Sequence, residues 1–137
     1  MNAFGLNSDS LLLIFNEKLE ESSIANATFT VSGGVTVQNV RFDIFNAKQV
    51  ILETSNMSLQ TNYTVSVSGL QDCSGNLLTS TLSANFGIPE PAEALDIILN
   101  EVTPEAFSGG KRFVEVYNNS AKFINLAGWQ IGRVDET

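Results

Sequence analysis

The chain of 137 residues, 43% of them hydrophobic, is long enough for one domain, or for a small domain and part of another. Its net charge of −8 is shared evenly, with seven acids and three bases in residues 1–88 and eight acids and four bases in residues 89–137. Lacking a basic stripe to neutralise phosphates, it is a poor fit to nucleic acid or an anionic membrane, and lacking histidine it has no access to the commonest general base and metal ligand.

Met1-Asn2-Ala3 leads straight into domain-like sequence, with none of the charged, apolar and small-residue regions of a signal peptide. The longest apolar run, Leu11–Phe15, is far shorter than the roughly 20 residues that span a bilayer, so no membrane span is expected. It reads instead as a strand buried on both sides. Asn16–Ser23 is polar and Glu-rich, with at most one helical turn. Phe29 and Val31 open a strand that meets Gly33-Gly34, and Val35 and Val37 continue beyond it, which predicts a hairpin. The apolar phase then shifts to Val40, Phe42 and Ile44. In a strand of period two this demands a bulge or a turn, and Gln38-Asn39 is the place for it.

Val50–Leu52 form the next strand, and Tyr63, Val65 and Val67 alternate with Thr64, Ser66 and Ser68 as a half-buried one. Asp72-Cys73-Ser74-Gly75-Asn76 is a turn, after which Leu82, Ala84 and Phe86 complete about seven strands, enough for a two-sheet sandwich. Alternation assigns its core to Leu13, Phe15, Phe29, Val31, Phe42, Leu52, Tyr63, Val65, Val67 and Phe86. The lone cysteine, Cys73, excludes an internal disulfide, and between Asp72 and Ser74 it has no base or cation to activate it as a nucleophile.

At Pro89-Glu90-Pro91 the grammar changes. Ile88–Ala94 reads as a stiff, extended linker of about 3.1 Å per residue. Ile97–Val102 and Phe113–Tyr117 read as strands flanking a loop with Pro104 and Ser108-Gly109-Gly110, and a third segment runs from Phe123 to Ile131. Three strands do not cover both faces of a sheet, so this part is expected to be a piece of a larger unit.

Residues 4–87 resemble the bacterial Ig-like domains of S-layer and other multidomain surface proteins. The resemblance rests on Leu12-Leu13-Ile14-Phe15-Asn16-Glu17, Asn62-Tyr63-Thr64-Val65-Ser66-Val67 and the turn Asp72–Asn76, in that order and spacing. It implies a spacer or adhesive module without catalysis. Asn100-Glu101-Val102, Phe113–Ser120 and Ile124-Asn125-Leu126-Ala127-Gly128-Trp129 resemble the beginning of a lamin-tail-type domain, itself Ig-like, of the kind found in secreted bacterial proteins. The resemblance implies that later strands of such a domain are absent from this sequence. The expected fold is therefore all-β: an Ig-like sandwich over residues 1–88, a Pro/Glu linker over 89–94 and a partial lamin-tail-like unit over 95–137.

Three residues stand out as candidates for interaction. Glu101 and Glu115 fall on strands that can be neighbours, and two facing carboxylates are the minimum for acid–base work or a hard cation, although acceptance of hydrogen bonds at a sheet margin is the stronger expectation. Trp129 suits a sugar-stacking platform, yet its place after Leu126-Ala127-Gly128 favours a ring plugging the core. Asp72 and Asn76 offer only two of the roughly six oxygens that calcium needs. The sequons at Asn26, Asn56, Asn62 and Asn118 read as coincidences of a Thr-, Ser- and Asn-rich chain.

These readings predict a non-enzymatic structural, spacer or interaction module, secreted or at the cell surface of a bacterium, with no catalytic residue, metal or cofactor. The partner expected is a protein or a cell-surface polysaccharide, or a second copy of the chain paired through the incomplete second unit. The rival expectation is a carbohydrate-binding or Ca²⁺-dependent adhesion module, accessory to a hydrolase elsewhere in the parent protein.

Overall fold

A computed structural model describes residues 1–103 and 111–132, and the chain divides into two compact units, Met1–Pro89 and Glu90–Thr137. The predicted loop with Pro104 and Ser108-Gly109-Gly110 lies outside the described residues.

The first unit is an Ig-like β-sandwich. One sheet has the order β1 (Asn2–Asn7), β2 (Ser10–Ile14), β5 (Gln49–Thr54), β4 (Val37–Phe42), and the other has the order β3 (Thr28–Val31), β6 (Tyr63–Ser68), β7 (Leu82–Phe86), all pairs antiparallel. Period two explains the layering. Leu11 and Leu13 on β2 and Val50 and Leu52 on β5 are fully buried, and they join Tyr63, Val65 and Val67 of β6 and Phe86 of β7 in a single core. Leu12 and Ile14, on the other face of β2, are only half-buried. The reading of Leu11–Phe15 as buried on both sides is thus corrected: the strand is central in its sheet, but one face of that sheet carries the core.

Strand composition also differs from expectation. Val35 and Val37 do not start a strand separate from Val40 and Phe42; β4 runs from Val37 to Phe42 with its register shifted between Val37 and Asn39, where the bulge was predicted. The seventh strand is β1, Asn2–Asn7. Ala3 packs against the core while the larger Phe4 and Leu6 are exposed on the other face, so little apolar side chain points inward and pairing with β2 makes the segment a strand. Ile44, expected to extend β4, lies beyond it and is exposed.

No hairpin forms at Gly33-Gly34. Ser32 still pairs with β6, donating its N–H to the Thr64 carbonyl (2.9 Å), whereas Thr36 already accepts from the Ser55 N–H beyond the end of β5 (2.9 Å). The chain therefore crosses from one sheet to the other. Both glycines have left-handed φ, +73° and +76°, and a Cβ on Gly33 would lie 3.1 Å from the Tyr63 ring. The Gly pair was a turn signal, but close packing against an aromatic ring sends the turn across the sandwich.

Tyr63 anchors the start of β6, as its place in the sequence suggested. Its ring stacks on Phe86 with centroids 5.7 Å apart, and its hydroxyl accepts the Ser58 N–H (2.8 Å). The core is larger than the alternation indicated. Leu19, Met57, Leu70 and Ile88 come from segments without strand periodicity and are buried, while Phe29 and Phe42 are only half-buried against it. Ile88 belongs to this core and not to a linker. A single helical turn, α1 (Glu21–Ile24), is held by buried Ser23, whose Oγ donates to the Glu20 carbonyl (2.7 Å) and accepts the Gln71 N–H (3.1 Å).

The predicted turn at Asp72 is tightly made. Asp72 Oδ1 accepts the N–H groups of Ser74 (2.8 Å) and Asn76 (2.9 Å), and Oδ2 accepts the Asn76 amide (2.7 Å). Gly75 supplies the left-handed φ of +85°. The Asn76 amide, together with the backbone N–H groups of Asn76, Ser74 and Gly75, holds the Asp72 carboxyl below its ordinary value of 3.8 against a smaller opposing effect of burial. A carboxylate depressed on folding stabilises the native state above the unfolded value, and that contribution disappears as pH falls through the folded one. Asp72→Asn is accordingly expected to lower the thermal midpoint at pH 7. The gap to wild type should close as pH drops below 3.8. A midpoint difference that stays constant from pH 7 to pH 2 would show that the charge of Asp72 contributes nothing.

In the second unit β8 (Ile97–Thr103) and β9 (Phe113–Asn118) form an antiparallel ribbon. Phe123–Ile131 is not a third strand. Ala127 donates to Asn125 Oδ1 (2.9 Å), Trp129 donates to the Leu126 carbonyl (3.1 Å) and Gly128 has φ +82°, so the segment is spent on consecutive turns. Among the described residues no helix is long and apolar enough to cross a membrane.

Candidate functional site

Glu101 and Glu115 are brought together. They are register partners across the β8–β9 ribbon, both exposed, and like charges at directly opposed positions destabilise a ladder. The register shifts between Leu99 and Glu101, just before the pair. The extra residue, Asn100, places its amide on Glu115 Oε1, so one carboxylate of the pair accepts a hydrogen bond from its neighbour. Of the two carboxylates, each expected to accept hydrogen bonds at a sheet margin, only Glu115 does so among the described residues, on a ribbon open to water. Among the described residues no group of three His, Cys, Asp or Glu side chains gathers to hold a metal ion.

Trp129 is placed elsewhere, on the Leu126–Trp129 turn, and is 52% exposed. The expectation of a core plug is corrected: the turn at Gly128 ends any strand that would have carried the ring into a sandwich interior. Its neighbours along the chain, Leu126 and Ile131, are also exposed, as are Leu99, Val102, Phe113 and Val116 on the ribbon. The second unit thus presents several large apolar side chains to solvent.

Sequence reasoning missed the most strongly built polar cluster of this unit. Lys122, only 16% exposed, donates to Asp96 Oδ2 (2.9 Å) and reaches Glu93 (3.1 Å), while the same Asp96 oxygen accepts the Glu93 N–H (2.8 Å). That backbone N–H and the Lys122 ammonium hold the Asp96 carboxyl below its ordinary range, and Asp96 followed by Glu93 raises Lys122. Glu90 donates its N–H to the Phe123 carbonyl (2.8 Å), and Asn119 donates to the Asp96 carbonyl (2.7 Å). Glu90 and Glu93, read as linker, therefore hydrogen-bond inside the second unit. The only signal in the sequence was Lys122 as one of few cations in an acidic half, too little to select its partners. Asn118 of the last sequon ties down the same loop. Its amide donates to the Lys122 carbonyl (2.8 Å) and its oxygen accepts from Ser120, so the nitrogen a glycan would need is already engaged.

Cys73 sits exposed on the Asp72 turn, its thiol donating to the Leu19 carbonyl (3.3 Å) and its N–H to the Lys18 carbonyl (3.1 Å). Its role there is to close the turn on the segment after β2.

Comparison with known proteins accords with this geometry. A search of curated proteins finds no match. Three solved structures of the bacterial S-layer protein SbsC are similar, each at 20% identity. Its N-terminal part matches with a TM-score of 0.53 over 93% of this chain and 37% of that one. Its domains 1–6 match with 0.53 over 82% and 18%, and its residues 31–844 with 0.55 over 93% and 22%. The present chain thus spans well under half of each of these structures, and at this identity the likeness is one of fold. The bacterial Ig-like domain model matches residues 2–87, the stretch that forms the seven-stranded sandwich, and the chain belongs to that family.

Proposed function

We propose that the chain is a non-catalytic structural, spacer or interaction module of a secreted or cell-surface bacterial multidomain protein. The observation that carries this reading is the family match over residues 2–87, on a sandwich whose interior is filled by aliphatic and aromatic side chains. Likeness in fold to S-layer protein structures supports an extracytoplasmic setting and a spacing role. The second unit reads as lamin-tail-like, on the motifs around Asn100, Phe113–Ser120 and Leu126–Trp129. Its exposed Leu99, Phe113 and Val116 support an association role, with a second copy of the chain as the partner. The half-exposed Trp129 favours a second reading, a carbohydrate-binding or Ca²⁺-dependent adhesion module accessory to a hydrolase elsewhere in the parent protein.

The full chain is expected to show no glycosidase, esterase or phosphatase turnover. Turnover that vanishes in Glu101→Gln or Glu115→Gln protein would reverse the non-catalytic reading. Because Trp129 is the only tryptophan, its emission reports the second reading directly: a saturable change on titration with cell-wall polysaccharide favours carbohydrate binding, and an unchanged spectrum favours the spacer. Sedimentation at micromolar concentration decides the self-association, since a strictly monomeric species removes the second copy as partner.

A further inference from the structure

At the pole of the first unit where β2 and β6 end and β7 begins, a cleft of about 180 Å³ opens to solvent. Phe15, Leu19 and Leu70, buried core residues, lie at its base, and the apolar surface it offers to solvent comes from half-buried Leu78 and Leu82 and exposed Leu77. Its rim carries two carboxylates, Glu17 and Asp72, and no lysine or arginine. Lys18 lies between Glu17 and Leu19 in the chain but does not line the cleft, and Lys48 gives its ammonium to the Asn16 carbonyl (2.6 Å).

Size selects the class of occupant. Sites for small molecules and cofactors run to about 300–1,000 Å³, so this cleft is too small for a sugar chain or a nucleotide. An apolar cavity of about 150 Å³ takes up one benzene-sized group, so this cleft has room for one aliphatic side chain. The apolar floor favours such a group, because burying it against leucines removes hydrocarbon from water on both sides. The rim selects what flanks it. Asp72 is held ionised by its turn, Glu17 makes no hydrogen bond or ion pair among the described residues, and together they attract a cation at the mouth. The mouth is also preformed: isolated β-bridges join Leu19 to Asp72 and Gln71 to Leu77, Leu78 donates to the Leu70 carbonyl (2.7 Å), and Cys73 donates to Leu19. Little ordering remains to be done on binding.

We propose that this cleft receives one aliphatic side chain of a partner protein segment, with an adjacent Lys or Arg of that segment facing Glu17. The proposal rests on the reading of the chain as an interaction module and names the partner chemistry for one surface of its first unit. The test uses the full chain, isotope-labelled, titrated with capped Ser-Leu-Lys-Ser tetrapeptide and followed by the amide resonances of Leu19, Leu70 and Leu78. These resonances should shift saturably. Replacing the peptide Leu by Gly should weaken binding at least about tenfold, as loss of a buried aliphatic group requires. Glu17→Gln, an exposed substitution, should weaken the Lys peptide about threefold and leave a peptide with Gln in place of Lys unaffected. Absence of shifts at millimolar peptide, equal binding of the Gly peptide, or shifts confined to other surfaces would overturn the proposal. Any of these would leave the non-catalytic reading standing, because that reading fails only on enzymatic turnover.

Discussion

Leu13→Ala is expected to destabilise the first unit by about 2–5 kcal/mol. Leu13 is fully buried, pairs with Ala3 on one side and Val50 on the other, and faces the sheet formed by β3, β6 and β7 across the core. A cavity at that point has sheet on both sides, and paired strands do not collapse into it without breaking their ladders. Amide hydrogen exchange at Val50 and Leu52 in the full chain measures the effect on this unit separately from the second. Phe42→Ala provides the contrast, since Phe42 sits on edge strand β4 and is only half-buried. If Leu13→Ala left exchange at Val50 and Leu52 unchanged, the sealed interior described here would be wrong.

Gly5→Ala is the second change with a large expected effect, about 1–3 kcal/mol or more, and it arises from crowding. A Cβ at Gly5 would run into the Gly87 carbonyl oxygen, with the Gly87 carbonyl carbon at 3.0 Å and Ile88 Cα at 3.1 Å. All three are backbone atoms, so no side chain can swing aside. Either β1 leaves its place beside the segment after β7, or that segment moves and carries buried Ile88 out of the core. Protection of Phe4 and Leu6 amides should fall first, followed by loss of global stability. Gly34→Ala separates steric from conformational causes. Gly34 has φ +76° and open space around its missing Cβ, so that substitution should cost only the left-handed penalty of about 1–2 kcal/mol. Equal losses at the two glycines would show that the close approach of β1 to Gly87 has no energetic consequence.

The pH behaviour of the two units differs in origin. In the first, Asp72 serves a turn and its ionisation matters only in acid. In the second, Asp96 and Lys122 hold one another, so their contribution is lost at both ends: as pH falls through the depressed value of Asp96, and as it rises through the raised value of Lys122.

The class of fold and most strands of the first unit were legible in the order of residues, because alternation is a local property. Tyr63, Val65 and Val67 must face one way whatever they face, and the phase change at Gln38-Asn39 had to be absorbed where it arose. The Asp72 turn was legible for the same reason: its acceptor, donors and glycine all lie within five residues. Tertiary structure decided whatever depends on partners distant in sequence. Gly33-Gly34 announces a change of direction, but the Tyr63 ring 30 residues on makes it a crossing between sheets instead of a hairpin. Asn2–Asn7 turns only small residues, Ala3 and Gly5, inward and becomes a strand through the register of β2. Of the candidate residues, Glu101 and Glu115 were paired by strand periodicity, while Asn100 reached Glu115 only through a bulge that adds a residue to β8. The cleft between Glu17 and Asp72 is the furthest from local reading. It is bounded by segments more than 50 residues apart, and only the meeting of three strand ends at one pole brings them together.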